Sequence, residues 1–253
     1  MKKLSQQQKV QEKLYDFPYH YSVKFKDYFS MFYLFDWGLN YASTIEFLLK
    51  KITLNPIKNT IIDIGCGEGR LTRELHLKFK NSVVHGVDYS LKSINMAKAL
   101  NSDLNIDFFA KNIIEDSLKQ TYDVATLMEV YEHIPPEISN DFLSGIHKLL
   151  NNEGILHLTV PHINVPVSAH HFRHFSVKSL VTELEPYFDI IEVMPFERIS
   201  IKRKWLMKLF INKFFILNHK TLTTKLYNYY KSSLFFVQKE DQCQRIYIQC
   251  KKK

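Results

Sequence analysis

After residue 59, segments with the apolar pattern of a β-strand alternate along the chain with segments that have the apolar spacing of an α-helix. Short runs rich in β-branched residues predict buried strands, whereas apolar residues three and four positions apart predict helices. The predicted strands are 60–64, 82–87, 106–109, 123–128, 154–160, 189–194 and 244–249. The helices predicted between them are 69–79, 91–100, 136–150 and 177–184. This alternation favours an α/β fold whose mostly parallel sheet is covered by helices on both faces.

The segments outside this alternation complete the predicted organisation. Residues 1–55 are predicted to be a helical N-terminal cover, because 42–52 have helical apolar spacing. Within it, the polar first 14 residues are expected to be frayed. Residues 56–198 form the predicted core, 199–238 are an insertion before the last strand, and 239–253 supply the final strand and tail.

Charge is concentrated in the insertion. The chain has 34 Lys and Arg against 26 Asp and Glu, a net charge of +8. Eight of the basic residues and no acidic residue lie in 199–238, so the rest of the chain is balanced. A uniformly basic nucleic-acid-binding surface is therefore disfavoured.

Three cysteines are too few for a disulfide framework and no apolar run could span a bilayer, so a cytoplasmic protein is expected.

A glycine-rich turn follows the first predicted strand, in the sequence IIDIGCGEGRL at 61–71. Glycines let a ligand approach the backbone closely, and the start of a helix offers unpaired N–H groups. The alternative for this segment is an ordinary strand–helix turn. Asp88, which ends the second strand, is placed to accept hydrogen bonds from ribose hydroxyls and so favours a nucleoside ligand.

Four motifs in order, DIGCGEGRL, GVDYS, YDVATLMEVYEHI and LLNNEGILHLTVP, resemble the class I S-adenosylmethionine-dependent methyltransferases. The resemblance covers about residues 58–195 and implies a Rossmann-like, seven-stranded mixed sheet. It also implies S-adenosyl-L-methionine as the cofactor, bound at the ends of the first four strands. The residues it implies are Asp63, Gly65, Cys66, Gly67, Asp88, Tyr89, Asn112, Ile113, Met128 and Glu129. Asn112 departs from the Asp that the family often has there.

The candidate catalytic residues lie after the fourth and fifth strands. A hydroxyl acceptor must lose a proton, and a neutral imidazole is a natural base. His133 and His171 are the candidate bases, and Arg173 is a candidate for orienting an anionic acceptor. For each of them the alternative is that the side chain only braces its loop.

A metal-dependent alternative combines Glu129, Glu132, His133 and His171. Two carboxylates and two imidazoles suit a divalent metal. This set resembles that of the metal-dependent RNA 3′-terminal 2′-O-methyltransferases, whereas metal-free relatives share the same motif. A metal-assisted RNA 2′-O-methyltransferase and a non-catalytic cofactor-binding partner are therefore alternative functions.

The acceptor class is suggested by the layout of the whole chain. Its aromatic opening, core, late basic insertion and final strand resemble methyltransferases of bacterial surface-polysaccharide gene clusters. That resemblance implies O-methylation of a sugar or a phosphate-like group, such as a phosphoramidate, in capsule biosynthesis. The expected partner is a small or glycan-linked, anionic acceptor. Residues 199–238 suit peripheral contact with the inner membrane, or a helical cap whose apolar face is core; a homodimer is left open and nucleic acid is disfavoured.

Overall fold

The central element of the fold is a seven-stranded sheet. The computed structural model describes residues 5–15, 37–116, 118–212, 214–215, 217 and 219–253. The strands are β1 (Thr60–Ile64), β2 (Val83–Asp88), β3 (Asp107–Ala110), β4 (Tyr122–Met128), β5 (Leu150–Pro161), β6 (Phe188–Arg198) and β7 (Cys243–Lys252). Their order is β3-β2-β1-β4-β5-β7-β6. Strands β1 to β5 are parallel, and β7 runs antiparallel to both β5 and β6. The predicted mixed sheet is confirmed.

Helices cover both faces of the sheet. They are α1 (Gln6–Leu14), α2 (Gly38–Thr53), α3 (Arg70–Lys78), α4 (Leu91–Leu100), α5 (Ser139–Leu149), α6 (Val177–Leu184), α7 (Ile201–Phe210) and α8 (Lys220–Tyr229). Apolar side chains of α2, α3, α7 and α8 form one core with the sheet, whereas those of α5 and α6 form the other. Because the central strands β1 and β4 are almost entirely buried, they read as mainly apolar runs rather than as alternating patterns.

The basic insertion contributes its apolar side chains to the first of these cores. Tyr227 and Tyr230 are fully buried, and the Tyr227 hydroxyl donates to Glu46 Oε1 of α2 at 3.0 Å. Lys231 Nζ donates to the other oxygen of Glu46 at 2.7 Å. The Phe47 and Phe235 rings meet edge to face at 5.9 Å. The inner face of the insertion is therefore a structural cap, as one of the two sequence interpretations held.

The polar N-terminal stretch is a regular helix, which corrects the expectation of a frayed start. Ser5 caps α1 by a reciprocal capping box, in which its hydroxyl accepts from Gln8 N and its own N–H donates to the Gln8 side chain. Such a box satisfies two otherwise unpaired N–H groups. The aromatic part of the predicted N-terminal cover, residues 16–36, lies outside the described residues.

Candidate functional site

A cavity of about 1090 Å³ opens at the carboxyl ends of the central strands. β2 lies on one side of β1 and β4 lies on the other, so the strand order reverses between β1 and β4. Ligands of open α/β sheets bind in the crevice at such a reversal. The cavity has two parts, which we name the glycine half, built by the ends of β1 and β2, and the histidine half, built after β4 and β5.

The glycine half depends on backbone conformations that other residues rarely adopt. Gly65, Gly67 and Gly69 have φ angles of 69°, 53° and 81°. A Cβ at Gly65 would lie 2.5 Å from a methyl carbon of Val130. The atoms nearest to a Cβ built at Gly67, which lines the cavity, belong to the Tyr15 side chain and lie 3.4 to 3.8 Å away. Bare backbone at the turn thus keeps space for a ligand.

Two buried carboxylates hold the turn in place. Asp63 accepts from the hydroxyls of Thr72 at 2.7 Å and Thr126 at 2.8 Å. Asp88 accepts from Gly67 N at 3.0 Å and from Ser90 N at 2.9 Å. Burial raises the pKa of both carboxyls to about 6, opposed by these hydrogen bonds. Each Asp88 oxygen accepts one of these two hydrogen bonds, which leaves lone pairs for further donors.

Other residues of the glycine half have more local roles. Burial raises the pKa of the Cys66 thiol well above its usual range, so the sulfur is a neutral wall of the turn and not a nucleophile. Asn112 accepts from Ile114 N through Oδ1 at 3.2 Å, so that oxygen is already in use within its own loop. Tyr89 is 43% exposed at the rim.

The glycine half fits S-adenosylmethionine by the chemistry of its donors and acceptors. Asp88 lies at the end of β2 with acceptor capacity left for hydroxyl donors, and the bare backbone of Gly67 lies beside it in the cavity wall. The acidic Asp63, Asp88 and Glu129 also make this part of the cavity favourable for a sulfonium cation.

The histidine half contains two imidazoles whose tautomers are set by their neighbours. His133 Nδ1 lies 2.9 Å from the carbonyl oxygen of His170, which can only accept, so the hydrogen is on Nδ1. His174 Nδ1 likewise donates to the Val165 carbonyl at 2.9 Å, so its Nε2 accepts from His171 Nδ1 at 2.8 Å. Nε2 of both His133 and His171 therefore carries a lone pair.

Burial keeps these imidazoles neutral. Burial lowers the pKa of His133 to about 4, and its hydrogen bond to His170 opposes the shift. Burial is also the largest cause of the lowered pKa of His171, followed by the neighbouring histidines. Both rings are thus available at neutral pH as hydrogen-bond acceptors or as metal ligands.

Two glutamates complete the histidine half. Glu132 is fully buried, and neither carboxylate oxygen has a hydrogen-bond partner among the described residues. Burial, followed by the charge of Glu129, raises the pKa of Glu132 well above its usual range. Glu129 has a φ of 56°, a strained value for a residue with a side chain. Its Oε2 accepts from Arg245 Nε at 2.8 Å, while its Oε1 is buried and has no hydrogen-bond partner in the described part of the chain.

A chain of ion pairs connects Glu129 to the basic insertion. Arg245 of β7 binds Glu129 and also Glu197, and Glu197 in turn binds Arg203 of α7. Glu197 is buried and has a φ of 59°. The position of Glu129 in the cavity therefore depends on the seating of α7.

The structure brings nearly all the predicted site residues to one cavity. Those that line it are Asp63, Gly65, Cys66, Gly67, Asp88, Tyr89, Asn112, Ile113, Met128, Glu129, Glu132, His133 and His171. Their individual roles remain predictions.

Arg173 does not line this cavity, which argues against its predicted role in orienting an acceptor. Its guanidinium donates to both oxygens of Glu183, at 2.7 and 2.9 Å, and to the Ser139 hydroxyl at 2.6 Å. It also stacks on the rings of Tyr131 and Phe175. Because both terminal nitrogens of the guanidinium are used in these contacts, its placement favours the bracing alternative.

Several lining residues were not identified from the sequence. Gln11 and Tyr15 of the N-terminal segment, Tyr41 of α2 and Arg245 of β7 all line the cavity. The pattern Ser5-x-x-Gln8 is a capping-box signature and could have indicated α1. Arg245 sits in a strand far along the chain, and no local pattern marks it as a site residue.

Comparison with known proteins assigns the central segment. Residues 61–154 match the family described as "Methyltransferase domain". The ubiquinone biosynthesis O-methyltransferase of Klebsiella pneumoniae (strain 342) is 34% identical over 79 residues, 30% of this chain and 32% of that protein. The enzyme of the same name from Shewanella sp. (strain ANA-3) is 31% identical over 112 residues, 39% of this chain and 46% of that protein. The chain thus matches less than half of the length of these relatives.

Solved structures extend the likeness to the whole fold. Magnesium protoporphyrin IX methyltransferase from Synechocystis PCC 6803 with bound SAM superposes with a TM-score of 0.61 at 15% identity, covering 100% of both chains. The N-methyltransferase NodS of Bradyrhizobium japonicum WM9, in complex with S-adenosyl-L-homocysteine, gives 0.55 at 13% identity, covering 84% of this chain and 86% of that one. The predicted Rossmann-like, seven-stranded fold of the class I methyltransferases is thereby confirmed. The match of residues 61–154 confirms the predicted methyltransferase domain.

Proposed function

We propose that the chain transfers a methyl group from S-adenosylmethionine to a hydroxyl oxygen of an acceptor bound in the histidine half. The observation that carries this proposal is the single cavity, in which the glycine turn and Asp88 share one space with Glu132, His133 and His171. A cofactor in one half and an acceptor in the other would be held close together and shielded from water, as a displacement at carbon requires.

Methyl transfer to a hydroxyl requires a base, which the histidine half can provide. S-adenosylmethionine, when bound, supplies a methyl carbon whose bond to sulfur breaks, with the electron pair going to sulfur, as the new bond to the acceptor oxygen forms. The hydroxyl proton must leave in the same reaction. Nε2 of His133 or of His171 can accept it, because both atoms carry a lone pair, and the proton then passes to solvent.

The charge of the cavity bears on the acceptor. Its lining has five carboxylates (Asp63, Asp88, Glu115, Glu129 and Glu132) and three permanently cationic side chains (Lys13, Lys111 and Arg245). An anionic, phosphate-like group beside Glu129 and Glu132 would meet repulsion unless a cation came with it. We therefore propose a sugar hydroxyl of a surface-polysaccharide precursor in preference to a phosphoramidate.

A ring hydroxyl on an aromatic acceptor is the second candidate. The relatives reported above are named for ubiquinone biosynthesis. In this chain Trp37, Tyr41 and Phe142 give the cavity wall aromatic surface, on which a flat ring could pack. A metal-assisted reaction on RNA gains no comparable support, because the excess basic charge lies in the insertion.

The outer face of α7 suggests where such acceptors are met. Ile201 and Trp205 are 66% and 65% exposed one turn apart, and Lys202 and Lys208 are exposed on the same helix. Apolar and cationic side chains on one helix surface suit an anionic bilayer. No helix in the described part of the chain is long and apolar enough to cross a membrane. We propose that α7 contacts a membrane surface peripherally.

The function is tested with S-adenosylmethionine carrying a labelled methyl group and two acceptor sets, nucleotide sugars and hydroxylated aromatic rings. We expect label in a product whose bond survives mild alkali, as a methyl ether does and a methyl ester does not. His171→Ala should lose most of the turnover, whereas His76→Ala, a histidine of α3 outside the cavity, should retain it. Label found only on nitrogen, or no transfer despite tight cofactor binding, would refute the proposal.

A further inference from the structure

The Glu132 carboxylate lacks the partners that a buried carboxylate normally has. It is fully buried, and neither of its oxygens has a hydrogen-bond partner among the described residues. Leaving a buried charge unpaired is costly, so buried carboxylates are generally paired or coordinate metals. Asp63 and Asp88 in the same cavity show the contrast, because each has two hydrogen-bond donors.

The surrounding histidines direct lone pairs, rather than N–H groups, to this place. The Nδ1–H of His133 is held by the His170 carbonyl, and that of His171 is held by His174, which is itself held by the Val165 carbonyl. Histidines that bind metals typically donate the other ring N–H to a carbonyl or similar acceptor in this way. If these histidines only stabilised the buried Glu132 carboxylate, we would expect an imidazole N–H, and not a lone pair, to face it.

The three groups lie within reach of one ion. One ligand atom from each of Glu132, His133 and His171 lies within 4.8 Å of the others, and His171 Nε2 is 4.0 Å from Glu132 Oε1. Ligand atoms bound at about 2.1 Å to a common ion lie roughly 3 to 4 Å apart. Side-chain adjustments of less than about 1 Å would therefore close the site.

We propose that Glu132, His133 and His171 bind a divalent transition-metal ion in the histidine half. Two imidazoles and one carboxylate are a recognised ligand set for such ions, and they leave further coordination positions open. These positions face the cavity, where acceptor oxygens could occupy them. The nearby Glu129 Oε1, also buried without a partner, is the candidate for a fourth ligand.

The functional role of this metal ion rests on the proposed methyl transfer, to which it adds a way of activating the acceptor. A cation here would bind an acceptor hydroxyl and lower its pKa, so that the imidazoles act as ligands and a weak base suffices to remove the proton. It would also offset the repulsion that Glu129 and Glu132 exert on an anionic group. The site would thus favour acceptors with two neighbouring oxygens, such as a vicinal diol.

The test is metal binding by the full-length protein, with no acceptor present. Chelator-treated protein is titrated with Mn²⁺, followed by the loss of the free-ion electron paramagnetic resonance signal, and separately with Zn²⁺ by calorimetry. We expect one ion per chain for the wild type, and no stoichiometric binding by Glu132→Gln or His171→Ala. His174→Ala, which removes only the support of His171, should weaken binding by about 10- to 100-fold. His76→Ala should bind as the wild type does.

Binding of S-adenosylhomocysteine to the same preparations separates the two proposals. Normal cofactor binding by the variants shows that they are folded, so their failure to bind metal supports the site. If neither ion binds the wild type, or if both bind Glu132→Gln and His171→Ala unchanged, the metal site is wrong. Methyl transfer could then persist in chelator with an imidazole as the base. Stoichiometric metal binding without methyl transfer to any hydroxyl would contradict the proposed function alone.

Discussion

The two halves of the cavity use buried carboxylates in opposite ways. In the glycine half, Asp63 and Asp88 each accept two hydrogen bonds from neighbouring residues. In the histidine half, the Glu132 carboxylate and one oxygen of Glu129 have no hydrogen-bond partner among the described residues. A carboxylate with satisfied oxygens supports the backbone around it, whereas an unsatisfied one is a candidate for binding something from outside.

The two halves also differ in the part of the chain that shapes each ligand site. The glycine half is shaped by backbone, because the turn has left-handed glycines and N–H groups at fixed positions. The histidine half is shaped by side chains from separate loops, and a relay of three hydrogen bonds sets its tautomers. Changes in one half should therefore leave binding in the other intact, and this independence can be tested.

The largest effect is expected from Asp88→Ala. This carboxylate orders the turn through Gly67 N and is the expected acceptor for the ribose hydroxyls of the cofactor. Losing these bonds should weaken S-adenosylhomocysteine binding by about 1000-fold, or about 4 kcal/mol, measured by calorimetry. Metal binding in the histidine half should be unchanged. Asp189→Ala, an exposed aspartate of β6, is the control; equal loss of cofactor and metal binding in Asp88→Ala would show that the halves are not independent.

A second prediction concerns the pH dependence that Asp63 gives to stability. Its pKa is raised by burial from 3.8 to about 6, so the folded protein binds this proton more tightly than the unfolded chain does. Stability from this group is present at low pH and is lost as the pH rises through about 6, by at most about 3 kcal/mol. Asp63→Asn should remove that contribution from urea unfolding between pH 4 and 7, whereas the exposed Asp189→Asn should not. Identical pH profiles for the wild type and Asp63→Asn would contradict the buried carboxyl.

The fold could be predicted from the sequence because its evidence is local. A parallel strand buried on both faces must be mainly apolar, and the turn after β1 must have residues that accept positive φ at positions 65, 67 and 69. Each of these requirements can be read in a few consecutive residues. The polar helix α1 was missed because its signal is a capping box at Ser5 and not an apolar stripe.

The candidate site could be predicted only in part, because its contacts join distant segments. His171 and Arg173 lie in one short loop, but the loop directs the first into the cavity and the second toward Glu183 of α6. Arg245 reaches Glu129 across 116 positions of the chain. Neither the directions of these two side chains nor the contact of Arg245 with Glu129 produces a periodic pattern in the sequence. Which side chain of a loop faces inward is decided by packing that the sequence alone does not display.

A third prediction concerns the bracing role of Arg173. Arg173→Ala removes a guanidinium that binds Glu183 and stacks on Tyr131 and Phe175. We expect a loss of about 2 kcal/mol in the free energy of unfolding, with unchanged cofactor binding. Lys178→Ala, an exposed change on the neighbouring helix α6, should have little effect. An Arg173→Ala protein of normal stability that had lost methyl transfer would restore the catalytic role for this residue.

The smallest effect is expected on the outer face of α7, which borders neither half directly. Trp205→Ser removes an exposed ring beneath Lys208 Nζ, which lies 4.9 Å from its centroid, and leaves the buried face of the helix unchanged. The wild type should sediment with vesicles containing phosphatidylglycerol and not with pure phosphatidylcholine. The variant should bind several-fold less, a change of about 1 kcal/mol. Tyr229→Ser, at a ring of α8 that is 40% exposed, is the matched control. Because Arg203 of α7 reaches Glu129 through Glu197 and Arg245, metal affinity that changes when vesicles are added would show that this surface and the histidine half are coupled.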